Sequence, residues 1–97
     1  MAHRLAQEAR VDLDELWFYL ASNASAEIAD RLVDSITTRF FLLSAYPLVG
    51  RRRDDLRKGM RAFPIGEYLV LYRVEGEDVV ILRVVRGSRD LEALRRE

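Results

Sequence analysis

Apolar positions recur with a helical period through the first half of the chain and shift toward a period of two in the second. Residues 2–6 read as a short strand. Ala9, Leu13, Leu16, Trp17 and Leu20 then fall at i, i+4, i+7, i+8 and i+11, one face of a 3.6-residue helix. Trp17 is expected as a core anchor of that face. Glu8, Asp12, Asp14 and Glu15 crowd the first turns, where the helix dipole favours negative charge. The polar break at 21–25 offers Asn23 and Ser25 as N-caps for a second helix. That helix is predicted over 26–45, with Ile28, Leu32, Ile36, Phe40 and Leu43 as its stripe and Ala29 and Val33 widening it. Pro47 ends it, because the residue before a proline, Tyr46, is pushed out of the helical region. A short polar loop between two helices predicts an antiparallel helical hairpin.

The texture then changes. Leu48, Val49 and Gly50 lead into a charged loop over 51–59. Residues 60–63 read as a strand ended by a Pro64-Ile65-Gly66 turn. Residues 68–74 and 79–85, rich in branched and aromatic side chains, read as two more strands around a polar hairpin loop at 75–78. Gly87 and Ser88 stop the last strand, and Ser88 is a candidate cap for a final helical turn over 89–96. The order strand, helix, helix, strand, strand, strand predicts an α+β fold. Its antiparallel sheet carries the helical hairpin on one face.

The two long strands carry one arginine each, Arg73 and Arg83, and are otherwise apolar on both faces. A buried unpaired arginine is costly, so the two are expected to share the outer face. That puts Tyr68, Val70, Tyr72, Val74, Val80, Leu82 and Val84 under the helices, with Leu69, Leu71, Ile81 and Val85 outside. A two-residue turn at Gly76-Glu77 would instead pair Arg73 with Val80 and send Arg83 to the opposite face, so a longer loop or a bulge is expected. Some apolar sheet surface then remains. Either a partner covers it, or the segment from Leu91 to Leu94 folds back over it.

A length of 97 residues supports one domain, 1–97, and 49% hydrophobic with 33% charged residues is a globular balance. The absence of cysteine removes disulfides and thiolate zinc sites. No apolar run reaches the roughly 20 residues that span a bilayer, and the N-terminus lacks the apolar stretch of a signal peptide. A cytoplasmic protein without membrane contact is expected. His3, the one histidine, is expected to be solvated near a frayed end. No cofactor or metal is expected, and Asp12, Asp14 and Glu15 read as a solvated helix start.

Net charge is zero, but its distribution is uneven. Residues 1–50 hold four basic residues against seven acids, and residues 51–97 hold twelve against nine. All basic residues except Lys58 are arginine, whose planar fork suits carboxylate and phosphate. Arg51, Arg52, Arg53, Arg57, Lys58 and Arg61 are candidates for contacting a target or a phosphate, with Arg83, Arg86 and Arg89 beyond them. The competing reading pairs Arg51 to Arg53 with Asp54, Asp55 or the acidic first helix.

The segments Tyr46-Pro47-Leu48-Val49-Gly50-Arg51, Asp55 to Phe63, Gly66 to Val74 and Val80 to Leu91, with Asp12 to Leu20 upstream, resemble the RelE/ParE toxin superfamily over nearly the whole chain. The resemblance implies the toxin of a type II toxin–antitoxin module, held in a hetero-oligomer by a cognate antitoxin, ParD-like or other. It implies that the antitoxin lies along the outer sheet face, with Leu69, Leu71, Arg73, Ile81 and Val85 as candidates. RelE-like members cut mRNA on the ribosome; ParE-like members block DNA gyrase. Where ribonuclease members carry arginine just after the position of Tyr68, this chain has Leu69. Where many members place histidine, it has Arg86, and no tyrosine follows Tyr72. Arg89 matches a basic position shared by both branches. The departures remove the acid/base apparatus, so the resemblance implies a ParE-like gyrase inhibitor with no catalytic residues. The alternatives are a ribosome-dependent endoribonuclease using the arginine set, and an inactive relative that only binds its antitoxin.

Overall fold

The computed structural model describes residues 2–87 together with Leu91 and Leu94. The chain runs β1 (His3–Leu5), α1 (Gln7–Asn23), α2 (Ala26–Ala45), β2 (Arg51–Arg52), β3 (Met60–Ile65), β4 (Tyr68–Glu75) and β5 (Asp78–Arg86). Helix α2 has the bounds that its period predicts, and Ser25 caps it, its Oγ accepting from Ile28 N at 3.1 Å. Asn23 is instead the last residue of α1, with its side-chain amide donating to the Tyr19 carbonyl. The final helical turn and its Ser88 cap lie outside the described residues, apart from Leu91 and Leu94.

The sheet order is β1-β5-β4-β3-β2. It is mixed, not wholly antiparallel, because β1 runs parallel to β5 with His3 opposite Val79 and Leu5 opposite Ile81. The helical hairpin and the three strands after it form the long crossover that a parallel pair needs. The charged loop contains a short strand, β2, paired with β3 through Arg51–Ala62 and Arg52–Arg61. Strand β3 does not end before Pro64 but runs through it. Arg53 N donates to Met60 O, so even-numbered residues of β3 direct their amide positions toward β2. Past the Arg51–Ala62 pair that side is the open edge, where a ring in place of an N–H costs no ladder bond.

Helices α1 and α2 cover one sheet face. Ala9, Leu13, Ile36, Phe40 and Leu43 pack there on Ile65, Val70, Tyr72, Val79, Ile81 and Val84. The stripe of α2 is rotated in its first turn: Ala29 is fully buried, whereas Ile28 is exposed. Trp17 is not a core anchor. It is half-buried at the helix–helix seam, and its indole Nε1 donates to the Asp30 carboxylate at 2.7 Å. His3 is not frayed or solvated either. It sits in β1, edge-on to Phe40 and Phe41, with Nδ1 3.3 Å from Ser44 Oγ.

The second sheet face is covered as well. Met60, Ala62, Leu71, Val85 and Leu91 form a second apolar cluster, with Leu56, Leu69, Leu82 and Leu94 packed against it. The chain itself therefore supplies the cover that the apolar strands require.

The register explains both arginines. Gly76 and Glu77 form a two-residue turn, and Arg73 does pair with Val80. A β-bulge then intervenes: Tyr72 pairs with Ile81 and Leu71 with Arg83, so Leu82 is skipped. Arg83 thereby regains the face of Leu71, as the cost of burying it requires. The face assignment of β5 before the bulge is consequently inverted. Val79 and Ile81 lie under the helices, and Val80 and Leu82 lie opposite. Val84 and Val85, after the bulge, lie as expected, and Val74 is exposed at the end of β4.

Candidate functional site

Arg83 is built into the fold. Strand β1 ends at Leu5, leaving the later part of β5 with no strand on the side away from β4, and α1 brings Asp12 to that edge. Asp12 Oδ2 accepts from Arg83 Nε at 2.7 Å and from Val84 N at 2.9 Å, and Oδ1 accepts from Arg83 Nη2 at 3.0 Å. The Asp12 carboxylate is 11% exposed and the Arg83 side chain 30%, so the pair is screened far less than a surface pair. The acidic helix start is thus not simply solvated: one of its carboxylates closes the sheet edge and neutralises an arginine there.

The basic stretch divides by its partners. Arg52 pairs with Asp54 at 3.0 Å, and Arg53 pairs through two bonds with Asp55 at 2.8–2.9 Å. Hydrogen bonding to Asp55 holds the Arg53 guanidinium's pKa above its usual value. Asp54 also accepts from Gly59 N at 2.8 Å, which closes the loop and, with Arg52, keeps that carboxyl's pKa below its usual range. Gly59 has φ +81°, a conformation that favours glycine there. Arg61 turns inward, donating to the Gly50 and Leu48 carbonyls at 2.8 and 3.3 Å. Arg86 pairs loosely with Glu67 at 3.6 Å. Arg51, Arg57 and Lys58 are exposed, and no described carboxylate forms an ion pair with them. Arg89 lies outside the described residues.

The structure does not bring the candidate set together as one site. Arg57 and Arg83 meet on a cleft of about 240 Å³ lined also by Glu8, Leu56, Met60, Leu82 and Leu94. Arg51, Arg52 and Arg53 line a separate shallow groove with Asp55. The cleft pairs two guanidiniums with the Glu8 carboxylate on an otherwise apolar wall. It can hold an anionic or polar group, and no histidine or tyrosine borders it among the described residues.

The outer-face set fares differently from expectation. Leu71 and Ile81 are fully buried and Val85 nearly so. Ile81 lies on the helix side, and Leu71 and Val85 lie beneath the second cluster. Leu69 is half-buried at its margin. Arg73 alone faces out, with its guanidinium on Glu75 at 2.8 Å. These bonds hold the Glu75 carboxyl's pKa below its usual range.

One surface has no counterpart in the sequence-based candidates. Tyr46, Leu48 and Val49 are exposed at the turn after α2, where they line a shallow apolar hollow with Ala45 and Pro47. Its backbone is pinned from below. The Tyr72 hydroxyl donates to Pro47 O at 2.8 Å and accepts from Gly50 N at 2.7 Å. Val49 N donates to Tyr46 O at 3.0 Å, and Arg61 holds the next carbonyls. A Cβ on Gly50 would collide with the Tyr72 ring and hydroxyl, so only glycine fits. The available signal was a Tyr-Pro-Leu-Val run past a helix stop, where polar residues are the norm.

Comparison with known proteins places these features in a family. Residues 4–91 match the model of the ParE toxin of the type II toxin–antitoxin system parDE. Toxin ParE3 of Caulobacter vibrioides is 43% identical over 82 residues, covering 84% of this chain and 82% of that protein. Toxin ParE1 of the same organism is 31% identical over 91 residues, covering 94% of each. Among solved structures, a chain of the chromosomal ParDE system of P. aeruginosa superposes with a TM-score of 0.80 at 23% identity. That match covers 91% of this chain and 97% of that one, and it shows the shared fold. A chain of the toxin–antitoxin complex RelBE2 of Mycobacterium tuberculosis matches with a TM-score of 0.64 at 32% identity, covering 88% and 95%.

Proposed function

The chain belongs to the ParE family of type II toxin–antitoxin toxins, and from that premise we propose that it poisons DNA gyrase by binding it and is silenced by a cognate antitoxin. The observation that carries the binding reading is the commitment of Arg83. A guanidinium that must stabilise a migrating phosphoryl charge has to be available to it. Here the most deeply placed arginine of the cleft is already neutralised by Asp12 and shares that carboxylate with a backbone amide. Position 69, arginine in ribonuclease relatives, is a leucine packed into the second cluster. Outward Arg57 and Lys58 are the candidate target contacts. Purified toxin should inhibit gyrase supercoiling and leave mRNA on translating ribosomes uncut. Site-specific cuts without an effect on supercoiling would replace this reading with the endoribonuclease one.

The antitoxin is a partner protein in the same reading. The buried state of Leu71, Ile81 and Val85 supports a contact away from the middle of the sheet.

A further inference from the structure

We propose that the pinned turn Tyr46–Val49 is the anchor for an acidic, apolar-faced segment of the cognate antitoxin; this assignment rests on the toxin reading above. Three observations support it. The first is exposure: Tyr46 is 63% exposed, Leu48 69% and Val49 51%, three large apolar side chains within four residues. Apolar clusters of this kind on a small soluble domain mark contact sites.

The second is rigidity. The backbone beneath these side chains is held by Tyr72, Arg61 and the Val49–Tyr46 bond. A surface whose conformation is already fixed loses little freedom on binding, which favours the tight, persistent capture that neutralisation demands.

The third is charge. Between Asp34 and Asp54 the sequence holds four arginines and no carboxylate; Arg52 and Arg53 are paired with Asp54 and Asp55, whereas Arg39 and Arg51 form no ion pair with a described carboxylate. The turn runs directly into exposed Arg51, with which no described carboxylate pairs. The complementary occupant therefore carries acids beside its apolar residues. A second copy of this chain would set the same arginines against each other. Strand addition next to the turn is disfavoured, because Pro64 blunts the β3 edge.

The test is a titration of the purified toxin with the protein encoded by the adjacent reading frame, using Leu48→Glu, Leu48→Lys and Phe18→Glu. Phe18 is equally exposed but lies on α1. Thermal melts establish that each variant is folded. Leu48→Glu should weaken binding at least about 30-fold, the scale of an interface anchor. Leu48→Lys should weaken it less, because a cation still meets the partner's acids, and Phe18→Glu should bind as the parent does. Unchanged affinity for Leu48→Glu overturns the assignment, as does a lysine variant that binds worse than the glutamate one. Retained antitoxin affinity with lost growth arrest gives the surface to the cellular target and overturns it too. Self-association of the parent chain that Leu48→Glu abolishes gives the surface to a second copy and likewise overturns the assignment. If the neighbouring protein does not bind the parent chain at all, the antitoxin reading fails and this assignment falls with it.

Discussion

Replacing Tyr72 by phenylalanine isolates a single hydroxyl that ties the loop after α2 to the sheet. The ring is fully buried and keeps its place in Tyr72→Phe, so no cavity term enters. Two bonds are lost, to Gly50 N at 2.7 Å and Pro47 O at 2.8 Å. Gly50 is buried, so its N–H loses its partner without water to replace it. An orphaned buried amide costs about 1–3 kcal/mol, while half-buried Pro47 recovers part of its loss from solvent. The expected destabilisation is about 2 kcal/mol, a fall in Tm of roughly 10 °C for a domain this size. The pH dependence adds a second signature. Burial holds the phenol's pKa above its ordinary value of 10.0. The folded chain therefore binds this proton more tightly than the unfolded chain. The associated stability is intact below about pH 10 and is lost as the pH rises through the folded value. Thermal melts from pH 7 to the alkaline range should show that limb in the parent and its reduction in Tyr72→Phe. Hydrogen exchange at the Gly50 amide should accelerate. A variant with parental Tm and a protected Gly50 amide would refute the tether.

Asp12→Ala strips Arg83 and the Val84 amide of their shared partner at a mostly buried position, so urea unfolding should report a loss of about 2–3 kcal/mol; a midpoint shift near zero would show that the latch adds nothing. Leu91→Ala, at a site 9% exposed in the second cluster, should cost about 2 kcal/mol, and an unchanged melt would mean that this residue does not seal the sheet. Arg73→Gln should raise the Glu75 carboxyl's titration midpoint toward that of an ordinary glutamate, because it removes the two Arg73 hydrogen bonds; NMR titration of the side-chain carboxyl reads this directly, and an unmoved midpoint would assign the depression to Arg4.

Local chemistry carried the elements and long-range packing carried the rest. Ser25 and Pro47 bracket α2 by capping and steric exclusion, which act within a few residues and so appear in the sequence. The faces of β5 depended on Leu82, one residue left out of the pairing. Burial of arginine predicted that a bulge was needed, but not that it would follow Ile81 and invert the assignments before it. Ile28 was misplaced for a related reason: the period groups residues on one face without fixing where that face is centred, and Ala29, one position on, is the buried residue of the first turn. Burial of the outer face depended on which of two covers was present, and the strands themselves look the same under either. Arg51 to Arg53 were equally ambiguous, since a guanidinium suits Asp54 or Asp55 as well as a phosphate. The anchor turn was the least legible, because its significance lies in the Tyr72 hydroxyl and the Arg61 side chain beneath it.

The parallel pairing of β1 with β5 joins residue 3 to residue 79. During synthesis, the opening strand has no neighbour to join until nearly eighty residues have been made, and Asp12 waits still longer for Arg83. Incomplete chains therefore lack the seam that closes the sheet. A ribosome that stalls before these strands are made releases a fragment unable to assemble the fold.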